Sequence, residues 1–244
     1  MYINRFSHIP RTKYRIISNG YDEEDFAEAE LQGKIRQLQQ GPAVLVHSGV
    51  LYPSERDPQQ FFNALADLRQ AGLISPASVR VVLRATGHDE IYRSKLRSMA
   101  LEDIVCLEPA LPHREALIEM LNADGLLIFQ AANCNWQIPA KVYECLRARR
   151  PIFAMTGVDG DTASVLRAEG MDNIAPLDSK QHIAEGLMKF LAQLNNGTST
   201  VSLEPSHHSR RARTRELATL LQELVCLDAT PQRHDTHIHT THCF

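Results

Sequence analysis

The sequence has no pair of cysteines two residues apart, no apolar run of membrane-spanning length and no glycine-rich nucleotide fingerprint. Each absence closes off a class. The five cysteines, Cys106, Cys134, Cys145, Cys226 and Cys243, are odd in number and scattered through 244 residues, which argues against both a zinc module and a disulfide framework. Cys106 and Cys145 fall in apolar patterns and read as small buried hydrophobes. No stretch approaches the ~20 apolar residues of a spanning helix. The opening MYINRFSHIPRTKYR is basic but lacks the apolar centre of a signal peptide. A cytoplasmic location, at most peripheral to a membrane, is the expectation. Neither G-x-G-x-x-G nor a Walker A lysine motif occurs, and without a G-x-S-x-G elbow no catalytic triad can be argued. A net charge of −3 gives no general pull toward nucleic acid. The run Arg210, Arg211, Arg213, Arg215 has no interleaved aromatic residues for stacking and reads as the solvated start of a helix.

What is present is alternation. Hydrophobic residues make up 43% of the chain, enough for a sizeable core. Short apolar runs at Ala43–Val46, Val79–Leu83, Ile104–Leu107, Gly125–Phe129, Ile152–Met155 and Asn173–Pro176 read as buried strands. Between them lie helical patterns. One begins at Asp57-Pro58, a good N-cap and first-turn pair, and has Phe61, Phe62, Leu65 and Leu68 on one face. Others cover Asp89–Met99, Arg114–Asn122, Asp161–Glu169 and Ser179–Leu194. A weaker helix is expected over Asp22–Gln40, after a possible short strand at Tyr14–Ile17 and a turn at Asn19-Gly20. Strand and helix alternating in this way, with no fixed repeat, define a single α/β domain with a doubly wound, Rossmann-like parallel sheet and helices on both faces.

The unit from Gln130 to Pro151 organises the rest. A polar loop follows the strand Gly125–Phe129. Pro139 then opens a helix with Ile138, Val142, Cys145 and Leu146 on one side, and Pro151 ends it. Ligands of such sheets sit beyond the carboxyl ends of the strands, where helix N-termini point. Glu144 lies about one turn into this helix and Lys141 one turn before it, so they read equally as ligand-binding residues or as a surface ion pair. The loop after the first strand adds His47-Ser48-Gly49 and Arg56. Glycine there permits close backbone approach and arginine suits a phosphate, although a turn glycine and a solvated arginine fit as well. Thr86-Gly87-His88 puts Gly87 on the same rim, or in a plain surface turn. His234, His237, His239, His242 and Cys243 form a metal-binding composition with no packed element to fix its geometry, and no metal site is assigned.

Five blocks in order add more than spacing can. They are NGYDEEDF (Asn19–Phe26), VLVHSGVLYPSERDPQQFFNAL (Val44–Leu65), LPHREALIEMLNADGLLI (Leu111–Ile128), IPAKVYECLRARRPIFA (Ile138–Ala154) and ELATLLQEL (Glu216–Leu224). Together they resemble the C-terminal, donor-binding half of retaining glycosyltransferases of family 4, enzymes of the GT-B arrangement with two facing Rossmann-like domains. The resemblance covers roughly residues 16–225. It implies a nucleotide-diphosphate sugar as substrate, no separate cofactor, and a saccharide or lipid-linked acceptor. Glu144 matches the second acid of the family's E-x7-E motif, which binds the donor's ribose. Gly49 matches the glycine after the first strand, and Arg56 the basic residue facing the donor diphosphate. The first acid of the motif falls at Trp136, a departure from the pattern.

The resemblance begins at the family's interdomain linker, so residues 1–18 are expected to be a linker or the remnant of a missing N-terminal domain. Residues 19–195 would form the nucleotide-sugar-binding domain, 196–208 a linker, 209–227 a C-terminal helix and 228–244 a disordered histidine-rich tail. No catalytic residue is assigned, and the chain alone is expected to be inactive. The alternatives are a non-catalytic assembly module pairing with a separate N-terminal subunit, and a nucleotide-sugar epimerase of similar architecture.

Overall fold

The computed structural model describes residues 2–33, 41–196 and 205–228. Helices α1 (Tyr2–Arg5) and α2 (Glu23–Gln32) precede β1 (Ala43–Ser48), α3 (Gln59–Gln70), β2 (Val79–Arg84), α4 (Asp89–Ser98), β3 (Val105–Glu108) and α5 (His113–Leu121). The chain continues through β4 (Gly125–Phe129), α6 (Ala140–Arg147), β5 (Ile152–Met155), α7 (Asp161–Ala168), β6 (Ile174–Ala175) and α8 (Lys180–Asn195), and ends its described part in α9 (Arg210–Asp228). The six strands form one sheet in the order β3-β2-β1-β4-β5-β6. Every pairing is parallel. This is the doubly wound α/β, Rossmann-like fold that the alternation implies.

The strands are near-continuous apolar runs because both sheet faces are covered. Side chains alternate between two cores. Leu127 and Phe129 of β4 join Phe61, Phe62 and Leu65 of α3, Tyr92 of α4 and Ile183, Leu187 and Phe190 of α8. Leu126 and Ile128 turn the other way, toward Phe26 of α2, Leu117 and Met120 of α5, and Val142, Cys145 and Leu146 of α6. Burying one such aliphatic or aromatic side chain is worth about 1.5–3 kcal/mol, so these two layers account for the bulk of the fold's stability. Capping follows the sequence closely. The carboxylate of Asp57 accepts from the Gln59 backbone at 3.1 Å, so it caps α3 from one residue outside Pro58.

Two expectations need correction. Tyr14–Ile17 forms no strand, and Ile16 is exposed; the extended contact lies instead at Tyr21, which bridges Ser209 in parallel. There the Tyr21 amide donates to the His208 carbonyl (3.2 Å) and the Arg210 amide to the Tyr21 carbonyl (2.8 Å). Gly20 is therefore less a turn residue than a point of close approach, since a Cβ on it would collide with the His208 carbonyl. Helix α2 ends at Gln32, short of the expected Gln40, and residues 34–40, with Ile35 and Leu38, lie outside the described part. So do residues 197–204 and the histidine-rich residues 229–244.

Helix α2 is weakly amphipathic, yet it is firmly placed. Arg147, at the end of α6 and only 8% exposed, reaches it with a guanidinium bonded to Glu23 (2.7 and 2.5 Å) and Glu30 (2.8 Å). The same group lies 4.9 Å from the Phe26 ring centre. Hydrogen bonds donated to these carboxylates hold the arginine well above its ordinary pKa. Both glutamates are partly solvated and can rehydrate when the arginine is lost, so the cost is less than for a fully buried pair. Arg147→Met should lower stability by about 2 kcal/mol in urea unfolding, with Glu23→Gln and Glu30→Gln each costing less. An unchanged midpoint for Arg147→Met would remove the clamp from the account.

Candidate functional site

The strand order reverses between β1 and β4, and in open α/β sheets the crevice beyond the carboxyl ends at such a point is where ligands bind. Both focal loops of the sequence emerge there. Gly49 follows β1 with φ of 140°, a backbone conformation reserved for glycine. The space where its side chain would stand is bordered by Lys141 Cε at 3.8 Å and His47 Nε2 at 4.0 Å. Around it His47, Gly49, Arg56, Phe129, Pro139 and Lys141 line a small hollow of about 50 Å³.

The second loop is built from inside. Gln130, buried directly after β4, donates through its amide to the carbonyls of Cys134 and Gln137, both at 2.7 Å. Its amide oxygen accepts from Thr156 at 3.4 Å. The backbone of Asn135 is tied to Asp161 (2.8 Å), and its side chain presses against Gly157 and Gly160. These bonds bring the chain to Pro139, which opens α6 with free backbone donors at its N-terminus. The first loop is fastened to the second where the Ala131 amide donates to the Glu55 carbonyl at 2.7 Å. Nothing in the sequence pattern marks Gln130 as the organiser; a polar residue closing an all-buried strand is the only clue.

Arg56 projects from the first loop, donating to the Val50 carbonyl (3.3 Å) with its guanidinium 5.7 Å from the Tyr52 ring centre. No carboxylate among the described residues pairs with it. Lys141 stands opposite, on the first turn of α6, 3.3 Å from the Glu144 carboxylate. The ion-pair reading of Lys141 and Glu144 is thus realised, and the pair also flanks the hollow. Glu144 itself sits one turn back from the lining. Gly87 is close by but faces elsewhere: it abuts Val50 and lines a separate surface hollow with Ala85, His88 and Ile91. Trp136, which stands where the resembled motif has its first acid, is 77% exposed.

His47 completes the hollow. Its Nδ1 donates to the Leu127 carbonyl at 2.9 Å, which fixes the tautomer and leaves Nε2 as a bare acceptor. That nitrogen is buried without a partner beside Gly49. Burial, helped by the positive charges of Lys141 and Arg56, pushes the imidazole pKa down to about 4. The hollow therefore offers two cations and one neutral hydrogen-bond acceptor. Cys145 contributes no nucleophile, because burial pushes its thiol up to about 12.

Beside this hollow runs a wider cleft of about 550 Å³ across the carboxyl ends of β4 to β6. Ser54, Asp57, Gln60, Asn135, Asp159 and Asp178 line it together with Val158 and Leu177. No helix among the described residues is long and apolar enough to cross a membrane.

No family model matches the chain, and no curated protein matches its sequence. Solved structures do match in fold. A sucrose-phosphate synthase from Thermosynechococcus elongatus superposes with a TM-score of 0.64 at 14% identity, over 93% of this chain and 56% of that one. The lipopolysaccharide outer core galactosyltransferase WaaB, in its apo form, gives 0.60 at 12% identity, over 88% of this chain and 57% of that one. HepE from Anabaena, solved in complex with UDP, gives 0.59 at 14% identity, over 86% and 57%. The likeness is one of architecture: a six-stranded parallel Rossmann-like unit of the kind found in GT-B proteins. The chain spans little more than half the length of these structures.

Two outcomes are expected from the site's construction. Gln130→Leu should cost about 1–2 kcal/mol through carbonyls that lose their donor and speed hydrogen exchange at residues 134–142; unaltered exchange there would mean the loop holds itself. The depressed pKa of His47 stabilises the fold fully above the ordinary histidine value of about 6.5, and that stability is lost as pH falls toward 4. Between pH 7 and 4.5 the wild type should therefore lose about 2.5 kcal/mol more than His47→Leu, measured by urea unfolding at both pH values. Parallel losses would show that His47 does not titrate as described.

Proposed function

We propose that this chain is the donor-binding part of a glycosyltransferase, holding a nucleotide-diphosphate sugar at the carboxyl edge of β1 and β4. The observation that carries the reading is the convergence of Arg56 and Lys141 on the open space at Gly49, at the point where strand order reverses. Its supports are the ordered sequence blocks, the architecture shared with GT-B structures, and UDP bound in one of them. Arg56 and Lys141 would take the diphosphate, with the first turn of α6 adding backbone N–H groups. Glu144, released from Lys141 by the incoming phosphate, would accept hydrogen bonds from the ribose hydroxyls. His47 Nε2, a neutral acceptor, suits a ligand hydroxyl and not a phosphate oxygen. The wider cleft, with Asp57, Asn135, Asp159 and Asp178 beside apolar surface, would take the sugar or acceptor.

In transfer, the bond between the anomeric carbon and the diphosphate oxygen breaks, and negative charge accumulates on the departing nucleotide diphosphate. Two fixed cations in a small hollow stabilise that charge more than they stabilise the neutral bond, which is how they would favour reaction. The acceptor, a saccharide or lipid-linked glycan, would be presented by a facing half supplied from outside the described residues. Leu217, Leu221 and Leu224 on α9, all exposed, offer an apolar stripe for such a neighbour.

Titration calorimetry with UDP-, GDP- and ADP-sugars should show weak binding to one of the three bases and negligible turnover by this chain alone. Arg56→Ala and Lys141→Ala should each weaken it at least about tenfold, the loss expected for a charge-assisted phosphate contact, and Glu144→Ala should abolish measurable binding. Binding to none of the nucleotide sugars, or binding indifferent to Glu144→Ala, would overturn the site as assigned.

A further inference from the structure

Away from the cleft, on the side where the chain crosses itself, Glu169 caps the carboxyl end of α7 and is only 8% exposed. That is an unfavourable place for a carboxylate. The helix terminus presents carbonyl oxygens and the negative end of its dipole, and burial removes the water that would offset the charge. A buried carboxylate normally answers with an arginine or lysine. Among the described residues none pairs with Glu169. Arg167, two residues away, is engaged by Asp172 and the Val158 carbonyl, and Arg213 by the His207 carbonyl and Glu216.

Two imidazoles stand in place of a cation. His207 Nε2 lies 3.0 Å and His208 Nε2 2.9 Å from the same oxygen, Glu169 Oε1. The two rings are 4.0 Å apart between centroids. His208 is largely buried and rests against Tyr143 of α6, ring centres 5.3 Å apart. The cluster is thus a carboxylate and two imidazoles aimed at one point. All three offered ligand atoms lie within 4.8 Å of one another.

We propose that Glu169, His207 and His208 bind a divalent transition-metal cation of the zinc type. Two histidine nitrogens and one carboxylate oxygen are a three-ligand set that zinc accepts, leaving a fourth position for water. The water side is His207, which is 54% exposed. Metal–ligand bonds of about 2.0–2.2 Å in tetrahedral array need ligand atoms roughly 3.4 Å apart, so the present contacts open by a few tenths of an ångström as each imidazole carries its proton on Nδ1 and turns a bare Nε2 to the ion. The ion places positive charge at the end of α7, where the helix dipole is negative. It also staples α7 to the turn at Pro205–His208, immediately ahead of α9, beside the Tyr21–Ser209 bridge. The site is structural in kind and independent of sugar-nucleotide binding.

The test uses the full chain with His234, His237, His239 and His242 changed to Ala and Cys243 to Ser, which removes the competing ligands of the tail. Titration with Co2+ should show one equivalent bound, with the d–d absorption of a tetrahedral site, and Zn2+ should displace it and raise Tm. His207→Ala in this background touches an exposed ring and leaves the fold intact, and Glu169→Gln keeps a hydrogen-bond acceptor; each should weaken Co2+ binding at least about tenfold. Absence of tetrahedral Co2+ absorption in the parent, or equal uptake by His207→Ala, would overturn the site.

Discussion

One buried amide decides where the working end of this molecule points. Gln130 closes the central strand β4, and its side chain holds the carbonyls of Cys134 and Gln137. Those two bonds curl an otherwise irregular segment into a fixed arch, so Pro139 always starts α6 at the same place. The direction of Lys141 and Glu144 depends on that start. The arch is in turn what the first loop leans on, through Glu55 and Ala131. Loops that carry ligands are commonly the least stable parts of a fold; here the floor under the loop is as dry as the core itself.

The charges around the hollow are arranged by burial as much as by sign. His47 is surrounded closely enough that it stays neutral between two cations, so the hollow does not become a site of three positive charges. Arg147, on the opposite face of α6, is fully committed to α2. The result divides the cations of this region by task. One locks helices together, and Arg56 and Lys141 remain at the rim. A buried carboxylate, Glu169, faces histidines in place of a guanidinium.

Most of the architecture was legible from pattern alone, for a physical reason. A parallel sheet buried on both faces writes itself as short unbroken apolar runs, and the six runs of this sequence are the six strands observed. Helix starts were readable at Asp57-Pro58 and Ser179, where cap chemistry is local. Failures came where long-range contact overrides local pattern. Tyr14–Ile17 has strand composition but joins no sheet, whereas Tyr21 finds Ser209 across the whole chain. In the hollow, Gly49, Arg56 and Lys141 were named from the sequence and do come together in space; His47 was seen only as part of a loop, and Gln130 not at all. His207 and His208 read as linker because their partner Glu169 lies 38 and 39 residues away.

The crossing at Gly20–Tyr21 and His208–Arg210 also governs how the unit can be joined to other protein. The chain enters and leaves the α/β body through neighbouring residues that share backbone hydrogen bonds. A body threaded this way adds almost no span to a polypeptide that contains it, since entry and exit stand about a strand's width apart. Such a unit can be carried as a side lobe on another structure with little disturbance to what lies on either side. The same closeness makes Gly20 a narrow gate: any side chain there would meet the His208 carbonyl and part the two segments, and with them the seam that closes the body.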